Sequence, residues 1–223
     1  MQKATPAVLN LIIINTLIFF AQTALGGGIE PNRITDLFAL HHYKSDTFRP
    51  HQLVTYMFMH GGFFHLFFNM FSLWMFGSTL ENYLGTKRFL ILYFICGLGA
   101  GLTQLGSYAY DFWQIDHSLL TADFNNQYQM ILRMNATVGA SGAIMGVMVG
   151  FGYLFANTEL FIIPIPFPIK AKWAITGMVL YDIFGGVVKT PNDNIAHFAH
   201  IGGALIGFLL ILYWNKSNRK TFY

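Results

Sequence analysis

The sequence predicts an all-α membrane protein, a compact bundle of six spanning helices with a long, partly helical first outer loop. Three observations predict it. Hydrophobic residues fill 54% of the 223 positions and charged residues only 10%, with a mean hydropathy of +0.47, too apolar for a water-exposed surface. Six apolar stretches, at 7–25, 63–80, 89–105, 140–156, 173–188 and 196–214, approach the roughly 20 residues that a spanning helix needs. Lys and Arg are also unevenly shared between the two sets of connections. The terminal side holds Lys3, Lys87, Arg88, Lys170, Lys172, Lys216, Arg219 and Lys220 against Glu81 and Glu159. The other side holds Arg33, Lys44, Arg49, Arg133 and Lys189 against seven acids.

By the positive-inside rule both termini are expected in the cytoplasm, with a bacterial plasma (inner) membrane as the default location. The formal net charge of +3 follows from this asymmetry. No basic cluster interleaved with aromatics appears, so no nucleic-acid partner is expected. The single Cys96 excludes an internal disulfide and reads as core. The whole chain, 1–223, is expected to form one membrane domain, and its oligomeric state is not legible.

In chain order, the first stretch resembles a signal peptide, with Lys3, an apolar run, and small residues at Ala21 and Ala24. Retention is expected, because cleavage would leave five spans and spoil the charge asymmetry. Gly26-Gly27-Gly28 then opens a connection of about 35 residues, too long for a tight turn. Within it Ile34 to Leu40 and Gln52 to Met59 suit short helices at the membrane interface. An ordered surface loop fits equally.

The second span carries His65, Asn69 and Ser72 on one face, a polar stripe that a bilayer tolerates only against protein or water. A helix–helix hydrogen bond is the plainer explanation of that stripe. Lys87-Arg88 mark the next turn, and Ser107 to Val138, with Asp111, Asp116, Asp123 and Arg133, reads as an exposed outer connection. Gly142, Gly146 and Gly150 on the fourth span, and Gly203 and Gly207 on the sixth, form small-xxx-small ridges that let these two helices pack together. Pro164, Pro166 and Pro168 predict an extended, stiff linker before the fifth span.

Chemistry is expected at Gly139-Ala140-Ser141-Gly142. Serine needs a base to become nucleophilic. Even-numbered spans of a six-span chain all enter from the outer face, so His65, Ser141, His197 and His200 lie at similar depth. A helix starting at Ser141 would aim unpaired N–H groups and the positive end of its dipole at an oxyanion. His65 and Asn69 could add donors. By itself the serine–glycine pattern is weak, with roughly 0.07 chance matches expected. Nor is it the soluble nucleophile elbow, since position 143 is alanine and no strand precedes it.

Together these residues resemble the rhomboid family of intramembrane serine proteases. The resemblance runs through His60-Gly61-Gly62-Phe63-Phe64-His65-Leu66-Phe67-Phe68-Asn69, then Gly139-Ala140-Ser141-Gly142, then Ala199-His200-Ile201-Gly202-Gly203. It implies a rhomboid-like six-helix fold and hydrolysis of peptide bonds in or near transmembrane segments of other membrane proteins by a Ser-His dyad. It implies no metal and no organic cofactor. By motif position Ser141 is the nucleophile and His200 the base, with His65, Asn69 and the Ser141 backbone N–H as the oxyanion site. His197 and His60 would support them, and Glu81 matches the family's structural glutamate. Two departures stand out. Pro50-His51-Gln52-Leu53 replaces a Trp-Arg pair common in the first outer loop, which suggests an interfacial role for His51 and Gln52. Met145 stands one turn after the serine, where many members place an aromatic ring.

Three rival readings meet obstacles. Asp182, within Tyr181-Asp182-Ile183-Phe184, lacks the second carboxylate and the GxGD motif of an aspartyl protease; a structural pairing is expected for it, and no third catalytic acid. A metal held by His60, His65, His197 and His200 lacks an HExxH motif, and no acid lies beside these histidines in sequence. A channel, transporter or membrane-protein binding module would use the polar stripe, yet would not require Ser141 and His200 jointly.

Overall fold

A computed structural model describes residues 3–26, 32–114, 129, 132–133, 136–162, 166–188 and 195–219. Helix α1 spans Pro6–Ala24 and opens with proline in its first turn, where the missing N–H costs nothing. Two short helices follow in the first connection, α2 at Arg33–Phe38 and α3 at Gln52–Thr55, the latter running into a 3₁₀ turn at Tyr56–Phe58. Asn32 caps α2 in a capping box with Thr35. Helix α4, Phe63–Leu84, contains a π turn at Leu73–Gly77, and Gly85 at φ 78° separates it from α5, Thr86–Trp113. Further helices among the described residues are α6 (Ser141–Leu154), α7 (Ala171–Val188) and α8 (His197–Arg219).

Five of these helices, α1, α4, α5, α7 and α8, are long and apolar enough to cross a membrane, and α6 is a shorter apolar helix. The chain is a multi-pass membrane protein. Lipid is the solvent for faces such as Phe63, Phe64, Phe67, Phe68 and Phe71 of α4, all exposed. The buried side is a continuous apolar cluster that joins Val8 and Leu11 of α1 with Leu73 and Phe76 of α4, Tyr93 and Cys96 of α5, and Val147 of α6.

Helix α6 is at the centre of the packing, with nearly every residue from Gly142 to Gly152 buried. Its 14 residues rise only about 21 Å, short of a hydrocarbon core of about 30 Å. The glycine ridges of α6 and α8 meet backbone to backbone. A Cβ at Gly203 would sit 1.9 Å from the Gly142 carbonyl oxygen, and one at Gly207 would sit 2.5 Å from that of Gly146. Gly146 in turn admits Cys96, whose Sγ would lie 2.3 Å from a Cβ there.

Polar groups tie the periphery to this core. Buried Glu81 receives the N–H groups of Ala7 and Val8 at 3.0 Å, the Thr86 hydroxyl at 2.7 Å and the Thr5 hydroxyl, so it caps α1 from the C-terminal end of α4. At the other end the Gln22 amide donates to the His60 carbonyl at 3.0 Å. Gln52 is fully buried and donates to the carbonyls of Asp36 and Thr47, both at 2.9 Å. The interfacial role read for Gln52 is thus corrected: it is the hydrogen-bonding hub that folds the first loop. His51 Nε2 donates to the neighbouring Leu37 carbonyl at 2.7 Å.

Two further expectations change. The third span does not stop near residue 105 but continues to Trp113, so the first turns of the supposedly exposed outer connection are helical. Tyr108 explains the extension, since its hydroxyl meets Thr137 at 2.6 Å and its carbonyl meets the His42 ring at 3.0 Å. The proline run is not only an extended, stiff linker, because the residues flanking it pair: β1 (Glu159–Leu160) runs antiparallel to β2 (Ile169–Lys170). Pro164, Gly27, Gly28, Asp116, Asp123 and Lys189 lie outside the described residues.

Replacing Gly203 by Ala is expected to lower stability by at least about 2 kcal/mol, because backbone cannot retreat from the added methyl. Gly106→Ala, on an open face of α5, should be neutral or raise it by up to about 1 kcal/mol. Unfolding midpoints in detergent compare the two. Glu81→Ala should cost about 3 kcal/mol in the same measurement, by stranding the first N–H groups of α1.

Candidate active site

The segment entering α6 is held by the first loop. Leu40 and Thr137 exchange backbone hydrogen bonds at 2.9 Å in both directions, and the Gly139 N–H donates to the Tyr56 carbonyl at 2.9 Å. The Tyr56 hydroxyl donates to the Gly97 carbonyl at 2.7 Å, which anchors this arrangement to α5. Gly139 then turns at φ 124°, a conformation that L side chains rarely adopt, and delivers Ser141 to the first position of α6. The first intrahelical bond runs from the Ile144 N–H to the Ala140 carbonyl, so the N–H groups of the opening turn face the site.

Across the glycine contact, α8 presents His200. Its Nε2 lies 2.8 Å from Ser141 Oγ. Its Nδ1 lies 2.9 Å from Oδ1 of Asp182 on α7, and the same oxygen lies 2.7 Å from His197 Nδ1. Asp182 and His197 are buried, whereas the His200 side chain is 17% exposed. The observation that no acid stands beside the histidines holds only along the sequence; in space a carboxylate bridges two of them. The spacing Asp182-x-x-Gly185 opposite His197-x-x-His200 was the available signal, since residues three apart share a helix face.

His65 covers Gly139 from α4. A Cβ at Gly139 would fall 2.8 Å from His65 Nε2 and 3.7 Å from Ser141 Oγ, so glycine leaves that space open. The Gly61 N–H donates to His65 Nδ1 at 3.3 Å, which leaves the proton on Nε2. Asn69 directs one amide N–H back to the His65 carbonyl at 3.0 Å and keeps its second for another acceptor. His60 is fully buried, with its ring centroid 5.2 Å from that of His65, and burial pushes its imidazole down to about 3, so it is neutral. Gly142 lies against the Ala199 carbonyl, and Met145 lines a cavity of about 610 Å³ with His200, Asp182, Met178 and Trp173. Glu81 is remote from this cluster and acts on α1, as described above.

Comparison with known proteins agrees with this architecture. The Rhomboid domain family matches residues 47–217, and the chain belongs to the rhomboid family. It is 30% identical over 166 residues to "Rhomboid protein 1, mitochondrial" of Saccharomyces cerevisiae, covering 73% of this chain and 41% of that protein. It is 31% identical over 159 residues to "RHOMBOID-like protein 4" of Arabidopsis thaliana, covering 71% and 32%. With "Rhomboid protease AarA" of Providencia stuartii it shares 27% over 217 residues, covering 93% and 72%. The chain thus spans less than half the length of the first two relatives.

Gly139→Ala is expected to lower turnover about 100-fold, since the methyl would displace His65 and strain the turn before Ser141. Cleavage rate and fluorophosphonate labelling, measured together, check this.

Proposed function

We propose that the protein is a serine endopeptidase that cleaves peptide bonds in or near the transmembrane segments of other membrane proteins. The observation that carries this reading is the 2.8 Å contact between His200 Nε2 and Ser141 Oγ at the start of a short, buried helix. Ser141 Oγ attacks the scissile carbonyl carbon while its proton passes to His200 Nε2. The tetrahedral oxyanion is met by the Ser141 N–H, by His65 Nε2–H and by the second Asn69 N–H. His200 then returns the proton to the leaving amine, and water hydrolyses the acyl-enzyme by the same route.

The substrate helix must unwind locally, because a helical amide hides its carbonyl in an intrahelical bond. Entry from the bilayer makes transmembrane proteins the partners. The Lys and Arg distribution supports both termini on the cytoplasmic side. No metal or organic cofactor takes part in this scheme.

Purified wild type, Ser141→Ala and His200→Ala, incubated with a transmembrane substrate in liposomes, test the reading. Each substitution is expected to reduce cleavage by about 10³-fold or more, and Ser141→Ala to abolish fluorophosphonate labelling. Unchanged cleavage in either variant would refute the dyad. Ion or solute flux that survives loss of Ser141 is the outcome a transport function demands.

A further inference from the structure

Asp182 belongs to neither the dyad nor the oxyanion site, yet it is bonded to the base. Helix α7 is the thinnest attachment in the bundle, with only Ala171, Ile175, Asp182 and Gly186 buried along it. A carboxylate in such a place must be hydrogen-bonded to be tolerated. Asp182 Oδ1 meets that need with two imidazole Nδ1 atoms, at 2.7 Å to His197 and 2.9 Å to His200. A carboxylate offers only lone pairs, so both Nδ1 atoms must carry protons. His200 is then left with a bare Nε2, the atom 2.8 Å from Ser141 Oγ.

The second histidine is held as carefully as the first. A Cβ at Gly185 would lie 2.4 Å from His197 Nε2 and 2.5 Å from its Cε1, so glycine one turn after Asp182 makes room for the ring. Tyr181 closes the other side, with ring centroids 5.7 Å apart at 67°. Packed in this way, His197 fixes the carboxylate's orientation and leaves Asp182 little freedom to swing from His200.

We propose that Asp182 is a positioning residue for the serine reaction, holding His200 as the Nδ1-protonated tautomer aimed at Ser141, with His197 bracing the carboxylate. The inference rests on the Ser141–His200 reading. In the attack step the Ser141 Oγ–H proton moves to His200 Nε2, and the Nδ1 proton stays where it is. Asp182 remains ionised and balances the imidazolium charge until Nε2 passes its proton to the leaving amine.

The test compares wild type, Ser141→Ala and Asp182→Asn for cleavage of one transmembrane substrate in liposomes. Asparagine keeps the volume but loses the charge and can turn an N–H toward His200. It is expected to lower kcat about 100-fold while KM stays within about twofold. A purely structural tie between α7 and α8 would move kcat and KM together. The second measurement needs no variant at Asp182: ¹⁵N-histidine NMR of the resting wild type, with the His200 signal assigned by its loss in His200→Gln. A protonated Nδ1 and unprotonated Nε2 are expected. An Nε2-protonated His200 overturns the proposal even if Asp182→Asn does not fold. Folded Asp182→Asn within about threefold of wild-type kcat overturns it while Ser141→Ala is dead, and cleavage by Ser141→Ala sinks both readings at once.

Discussion

The backbone contact between α6 and α8, where Gly203 lies against the Gly142 carbonyl and Gly207 against that of Gly146, sets the distances on which the candidate site depends. Apolar side chains gain little from association in lipid, so helices approach closely only where small residues let backbones touch. Gly142 follows Ser141, and Gly203 is three residues past His200. The same contact that seals the two helices therefore carries the hydroxyl and the imidazole to 2.8 Å. Cys96 of α5 fits into the space Gly146 leaves, and the third helix is locked to the pair.

The polar groups of the bundle fall into two kinds by what they do for this contact. Glu81, Gln22 and Gln52 satisfy backbone groups at helix ends and in the first loop, which would be costly to leave unpaired away from water. Through Leu40 and Tyr56 that loop holds residues 137–139 and so determines how the chain enters α6. Ser141, His65 and His200 are the second kind, gathered around an opening helix turn whose N–H groups have no intrahelical partner. Asp182 joins the two kinds, since it anchors a sparsely packed helix and touches His200.

How much was legible follows from the range of each signal. The spans were visible because apolar length is a local property, and Gly142, Gly146, Gly203 and Gly207 were visible because a four-residue spacing marks one helix face. The extension of α5 to Trp113 was not, because its outer turns are polar and are stabilised by Tyr108 meeting Thr137 and His42, residues far off in sequence. Gln52 read as an interfacial residue for the same reason: its three-way burial depends on Asp36, Thr47 and His41 folding around it.

Composition, apolar periodicity and three short motifs were enough to define a multi-pass membrane protein of this family and to single out Ser141 and His200. They act through local hydrophobicity and residue chemistry, which need no folded partner. The join between Asp182, His197 and His200 required α7 and α8 to lie side by side, with Gly185 giving up its side-chain volume to His197. A shared oxygen between residues 15 and 18 positions apart is a fact of packing, and nothing along a single chain encodes it until the helices have met.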